Sequence, residues 1–239
     1  MAKMFDQGRA HLPQERSEAK QNKLAKLYTT IKVHKNPHTL RPIVSQCGTV
    51  ISVLSSWLDY KLKKLLAFVS TYIKDSRDFK RKLDDINGKG RLPINAKLVT
   101  ADAVSIYTNI DTEHGLKVLR LFLEELKSEG NLPTNFDIDM IVEAARLVMC
   151  WNLFEYGDSF FKQLIGTTMG TPTAVLWAII YFYPHEKHKL IPSFDHKMPL
   201  LVRYIDDIFL LVLFGGYNGF IPEEWIQFGC MINDYGILK

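Results

Sequence analysis

The sequence predicts an α+β fold. Apolar or β-branched runs pair off around turn residues at three separate places, 27–45, 151–164 and 200–214, while the stretches between them carry apolar residues at helical spacing. Strands gathered into hairpins and helices gathered into blocks put antiparallel sheet and helix in separate layers. With 239 residues, 47% of them hydrophobic, the chain has enough apolar mass to fill a substantial core.

Residues 14–27, QERSEAKQNKLAKL, read as a short polar helix leading into LYTTIKV, whose β-branched residues predict a strand at 27–33. HKNPHT turns around Asn36-Pro37, and LRPIVS at 40–45 returns as the second strand of a basic hairpin. From Ile51 to Val69 the apolar positions 51, 54, 58, 62, 65, 66 and 69 recur at helical spacing, with Lys61, Lys63 and Lys64 mostly on the other face. A charged helix at 75–86 stops at Asn87-Gly88-Lys89-Gly90, after which AKLVTAD forms a short apolar strand running into Asp102. Helices follow at 112–128 and 138–150, and WNLFEYGDSFFKQL reads as a hairpin around Gly157-Asp158. The segment PTAVLWAIIYF at 172–182 is apolar on every face, which predicts a buried helix with Pro172 near its start. LLVRYIDDIFLLVLF at 200–214 sets an Asp pair between two apolar runs and reads as strand, turn and strand, with the aspartates at the tip. A closing helix is predicted at 222–235.

Net charge is only +4, but it is unevenly spread. Residues 1–97 carry 20 Lys and Arg against 8 Asp and Glu, net +12, and residues 98–239 carry 10 against 18, net −8. A basic half suits a polyanion such as nucleic acid, and an acidic half with clustered aspartates suits divalent cations; an ordinary solvated surface is the plainer reading of the same asymmetry. Cys47, Cys150 and Cys230 lie far apart without CxxC or Cys/His spacing, which argues against a zinc site or disulfide framework and fits a reducing compartment inside the cell. The first 20 residues lack the apolar core of a secretory signal, and no stretch reaches the ~20 apolar residues of a membrane span, so no membrane partner is expected.

Two adjacent aspartates between hydrophobic strands need a compensating partner, because burying unpaired charge costs several kcal/mol per group (on the order given by desolvation). A metal ion is the obvious one. Asp206 and Asp207 sit at one hairpin turn and Asp102 ends another apolar strand, so two neighbouring strands could bring all three together. Mg²⁺ takes octahedral oxygen ligands, typically one or two carboxylates with phosphates, so such a site implies a phosphorylated substrate. Taken alone, Asp-Asp also suits a hairpin turn for backbone reasons.

The order of four segments, LRPIVS at 40–45, DAVSIYTNI at 102–110, GTTMGTP at 166–172 and RYIDD at 203–207, resembles reverse transcriptases. They correspond to that family's fingers hairpin, first catalytic-aspartate strand, nucleotide-binding loop with its helix, and catalytic hairpin. The forms KVHKNPHTLRPIVS and Asp-x-x-Ser-x-Tyr-Thr-Asn-Ile, with Met169 before Gly170, look most like the Penelope-like retroelements, relatives of telomerase reverse transcriptases. The resemblance implies a partial right hand: basic fingers at 1–97, palm at 98–128, a fingers and palm connection at 129–165, and palm again at 166–239. It also implies that the later palm motif, the primer grip and the thumb lie beyond Lys239, together with any GIY-YIG endonuclease. The activity implied is RNA-directed DNA polymerisation: dNTP added to a DNA primer on an RNA template, with two Mg²⁺ ions, or Mn²⁺ in their place.

Carried over position by position, the resemblance makes Asp102 and Asp206 the bridging metal ligands, with Asp207 adding negative charge and occasional ligation. Tyr107, five residues after Asp102 and expected on the same strand, becomes the steric gate against a ribose 2′-hydroxyl; the alternative is a core aromatic under the site. Arg41, Lys32 and Lys35 would close over the triphosphate, Arg bidentately and Lys as a point charge; a solvated basic hairpin touching template phosphates is the other reading. Met169 departs from the Gln that many reverse transcriptases carry, which leaves apolar or backbone contacts to the nucleotide. Gly166 and Gly170, with Pro172, would let backbone approach the base pair, or simply end one hairpin and start the helix. Two rival functions stand beside this one: an RNA-dependent RNA polymerase, which shares the aspartate arrangement, and a truncated nucleic-acid-binding remnant without catalysis.

Overall fold

The structure is a computed structural model, and it describes residues 5–6, 24–33, 36–88, 90, 96–103, 106–194 and 197–213. In chain order the elements are β1 (Phe5–Asp6), β2 (Ala25–Lys32), β3 (Thr39–Ser45), α1 (Val50–Lys63), α2 (Ser76–Gly88), β4 (Ala96–Asp102), α3 (Ile106–Asn109), α4 (Thr112–Ser128) and α5 (Ile138–Cys150). They continue with β5 (Leu153–Tyr156), β6 (Ser159–Gln163), α6 (Ala174–His185), α7 (Ile191–Phe194), β7 (Leu200–Tyr204) and β8 (Asp207–Leu213). A 3₁₀ turn, Lys64–Phe68, follows α1, and a π-helical turn, Glu186–Leu190, follows α6. The chain divides into two compact units, Met1–Lys64 with Tyr107–Ala178, and Leu65–Ile106 with Ile179–Lys239.

In the first unit a five-stranded sheet runs β1-β6-β5-β2-β3. The hairpins β2/β3 and β5/β6 are antiparallel, and β2 joins β5 in parallel through Ala25 opposite Phe154. Ala25, Val44 and Phe154 are buried together, with Leu27 and Phe161 packed against them. The polar helix expected at 14–27 lies mostly outside the described residues; where it is described, Ala25–Leu27, the chain is strand. Pairing with β5 and burial under Phe154 override the local helical preference there.

Helices α4 and α5 have the bounds that their apolar periodicity predicts. Each starts on an aspartate cap: Asp111 accepts from the His114 N–H and Asp137 from the Met140 N–H. Their inner faces bury Leu116, Leu119, Phe122 and Leu123 on α4 and Ile141, Val142, Ala145 and Val148 on α5. Helix α1 is capped by Thr49 and tied to the residue before α6, where the Thr173 hydroxyl donates to the Ser55 carbonyl at 2.7 Å.

The second unit is built on an antiparallel sheet, β4-β8-β7, with β8 in the middle. Ile208, Leu210 and Val212 face a core formed with Leu190, Phe194, Met198 and Leu201. Phe209 points the other way and meets Phe79 of α2 at a ring separation of 4.7 Å. Two-sided burial explains why β8 reads as an unbroken apolar run rather than an alternating one. Helix α6 outruns its predicted end at 182 and passes through Pro184, which has no N–H to continue the ladder; the backbone then widens into the π turn. Neither that turn nor α7 has a signature in the sequence. The helix predicted at 222–235 lies outside the described residues. Among the described residues no helix is long and apolar enough to cross a membrane.

Gly115 on α4 is a packing requirement: a β-carbon there would lie 2.4 Å from Cζ2 of the buried Trp177 ring. Gly115→Val is expected to lower the free energy of unfolding by about 2–3 kcal/mol through overpacking. Urea denaturation checks this, and an unchanged midpoint would mean that the indole ring can move aside.

Candidate active site

Strands β4 and β8 pair without a break from Ala96 opposite Leu213 to Asp102 opposite Asp207. Asp102 therefore ends its strand directly across from the first residue of β8, more than a hundred positions later in the chain. The join continues one step further, since the Ala103 N–H donates to the Asp206 carbonyl at 2.9 Å. On the other side Tyr204 of β7 pairs with Asp207, leaving Ile205 and Asp206 as a two-residue hairpin loop. Loops this short need left-handed backbone, usually supplied by Gly, Asn or Asp; here Ile205 supplies it, with φ 57°.

All three acids thus gather at one end of one sheet. Asp102 and Asp207 are exposed and Asp206 is half-buried. Like charges set directly opposite in a sheet repel, and partial burial, reinforced by Asp206 and then Asp102, pushes the Asp207 carboxyl above its ordinary range. Carboxylate oxygens are hard donors, of the type and sign that suit a hard divalent cation. Among the described residues, no group of three or more His, Cys, Asp or Glu side chains is arranged so that together they could hold a metal ion. Cations that act on phosphates are commonly held by one or two carboxylates, with water and substrate oxygens completing the shell.

The other residues picked out in the sequence belong to the first unit. Lys32 ends β2 opposite Thr39, half-buried, and Arg41 lies exposed on β3 opposite Thr30. Lys35 lies outside the described residues. Tyr107 corrects an expectation: the strand stops at Asp102, and Tyr107 sits half-buried on the one-turn helix α3. Its carbonyl accepts from the Thr167 N–H at 2.5 Å.

The loop at 166–172 is held at both ends by contacts that only glycine allows. Gly166, at φ 82°, leaves no room for a β-carbon, which would come within 2.7 Å of the Tyr107 carbonyl. Gly170, at φ 148°, faces the Val44 carbonyl of β3, 2.2 Å from where a β-carbon would stand. These glycines therefore dock the loop onto the Tyr107 helix and onto the strand that carries Arg41, with Met169 half-buried between them. Thr168 within the loop and Thr173 just after it are buried and hydrogen-bonded to Gln163 and Ser55 respectively.

Three residues that the sequence did not single out lie behind the aspartates. Arg203, Glu186 and Thr71 are buried and bonded to one another. A charged residue inside the apolar run LLVRY is the one signal that could have drawn attention to Arg203, whereas Glu186 simply follows a long apolar helix.

No protein-family model matches the chain, and no curated protein matches it in sequence. Solved structures do match in shape. Apo telomerase from Candida tropicalis superposes with a TM-score of 0.66 at 11% identity, covering 99% of this chain and 45% of that one. Telomerase from Candida albicans, in complex with a TWJ fragment of telomeric RNA, gives 0.66 at 14% identity, over 98% and 43%. The RNA-dependent RNA polymerase of a human picobirnavirus, an insertion-loop deletion mutant, gives 0.59 at 14%, over 90% and 40%. The chain has a polymerase-like fold. It spans less than half the length of each of these three proteins.

Asp207 yields a test of the local electrostatics. An acid whose folded-state pKa is raised costs stability while ionised, and that cost is relieved as pH falls through the folded and then the unfolded pKa. Asp207→Asn, without divalent ions, is therefore expected to raise the thermal midpoint at pH 7, with the gain vanishing below the carboxylate range and shrinking in high salt. Thermal melts across pH would read this, and a variant less stable than the parent at pH 7 would contradict it.

Proposed function

We propose that this chain is the fingers and palm of a reverse transcriptase, an RNA-directed DNA polymerase of a retroelement, most like the Penelope-like elements. The observation that carries the reading is the pairing of Asp102 with Asp207, with Asp206 in the adjoining turn: three carboxylates distant in sequence, at one sheet end, inside a polymerase-like fold. The order of the four segments around them supports it.

In this reading Asp102 and Asp206 hold two Mg²⁺ ions and Asp207 adds negative charge beside them. When bound, such ions make the primer 3′-hydroxyl easier to deprotonate and offset charge on the triphosphate and departing pyrophosphate. The chain's own residues do the rest. Arg41, with Lys32 and Lys35, binds the triphosphate; the loop at 166–172 brings backbone and Met169 against the nascent base pair; the Tyr107 ring excludes a nucleotide 2′-hydroxyl. The +12 charge of residues 1–97 attracts the RNA template and the DNA primer through their phosphates. On this proposal residues 1–97 are fingers, 98–128 palm, 129–165 the connection and 166–239 palm.

A viral-type RNA-dependent RNA polymerase is the second reading, because such an enzyme is among the structural matches. Tyr107 separates the two. An RNA polymerase needs room, or a polar reader, for the 2′-hydroxyl where a DNA polymerase needs bulk.

Asp206→Asn is expected to reduce Mg²⁺-dependent primer extension on an RNA template to background while leaving RNA affinity within about twofold, since a neutral amide binds the cation poorly and template binding rests on the basic residues. Extension and filter-binding assays on one preparation report both, and full extension by the variant refutes the assignment. For Tyr107→Ala, incorporation of rNTP should appear where the parent accepts only dNTP; a parent that already prefers rNTP would favour the second reading.

A further inference from the structure

Directly behind the Asp206-Asp207 turn lies the most deeply buried ion pair described. Arg203 is 2% exposed and Glu186 4%. The Arg203 Nε–H donates to Glu186 Oε1 at 2.5 Å, and its Nη2 reaches Glu186 Oε2 at 3.5 Å and the Ile179 carbonyl at 3.0 Å. Glu186 Oε2 also accepts from the Thr71 hydroxyl at 2.5 Å. The guanidinium carbon lies 5.1 Å from the centroid of the Phe182 ring. Backbone bonds lock the same residue in place: the Arg203 N–H donates to the Thr71 carbonyl and the Ile73 N–H to the Arg203 carbonyl.

One nitrogen remains, and it is the informative one. Nη1 of Arg203 donates at 3.0 Å to the carbonyl of Ile205, the residue whose left-handed backbone makes the two-residue loop possible. A β-branched residue in that conformation persists only when its surroundings over-determine it. Holding the loop carbonyl while satisfying a carboxylate and a helix carbonyl requires the fixed fork of a guanidinium, which neither Lys nor an apolar side chain supplies. As a core filler the pair would be a poor choice, because two charges must be desolvated where apolar groups of the same size would pack without that cost. Its partner Glu186 opens the π turn, a distortion found frequently at functional sites.

We propose that Arg203, oriented by Glu186, is a positioning residue that clamps the Ile205 turn and thereby sets the placement of Asp206 and Asp207. The catalytic consequence rests on the polymerase reading; the clamp itself rests on the contacts alone. The experiment compares the parent with Arg203→Lys, which keeps a charge beside Glu186 but loses the fork, and with the double variant Arg203→Met, Glu186→Met, which removes both buried charges together.

Two readouts are taken on each protein alongside its thermal midpoint. In a variant that folds, hydrogen exchange of the 204–207 amides should accelerate by roughly tenfold or more over the rest of the β7 and β8 strands. In primer extension kcat should fall about 10–100-fold, the range for groups that orient ligands from behind, with KM for dNTP within about twofold. Turn exchange or kcat like the parent's in a folded variant overturns the clamp. So does a drop in midpoint with no selective change at the turn, or loss of the whole fold in both variants, since the pair would then be a core brace. A parent that extends no primer, with turn exchange still accelerated in Arg203→Lys, shows that this stretch does not polymerise by itself and leaves the clamp standing.

Discussion

Everything around the candidate site depends on the register between β4 and β8. Seven consecutive pairs, from Ala96 with Leu213 to Asp102 with Asp207, bring together acids that the chain separates by more than a hundred positions. A slip of one residue would turn every side chain of β8 to the opposite face. That slip is opposed from both sides: Ile208, Leu210 and Val212 are committed to the core with Leu190 and Phe194, and Phe209 to Phe79. The apolar strand is thus what makes an unfavourable cluster of carboxylates tolerable at its end. Each buried Leu or Ile contributes about 1.5–3 kcal/mol, against a repulsion that solvent still partly screens at the exposed Asp102 and Asp207.

The end of such a strand cannot be left loose if the acids are to act together. Polar groups behind it do what apolar packing cannot, because only directional bonds can fix a loop carbonyl. Arg203 draws its bonds from α6, from the π turn and from the segment at Thr71, so the hairpin tip is referenced to three different stretches of the second unit. Such networks lose most when one member is taken away and the partner is left buried and unpaired.

In the first unit the same problem, placing backbone at close range, is met by removing side chains instead of adding bonds. Gly166 and Gly170 sit where any β-carbon would strike a carbonyl of α3 or β3. The loop between them is thereby held against the helix that carries Tyr107 and the strand that carries Arg41. Met169 lies half-buried in that loop.

Much of this was legible beforehand. The periodicity of 112–128 and 138–150, the Gly157-Asp158 turn and the two apolar runs around the Asp pair each specify an element locally, because spacing and turn chemistry act over a few residues. Misreadings fell where distant partners decide: Ala25–Leu27 is strand because β5 lies beside it, and Tyr107 is helical beside a loop sixty residues away. The sequence by itself determined the element types, the asymmetry of charge and the identity of three acids at the ends of apolar runs. Tertiary structure alone decided that Asp102 faces Asp207, that Gly166 and Gly170 are contact points, and that Arg203 reaches the Ile205 carbonyl through a fork held by Glu186. Strand register and buried ion pairing are relations between segments far apart in the chain, and no local pattern encodes which residue will stand opposite which.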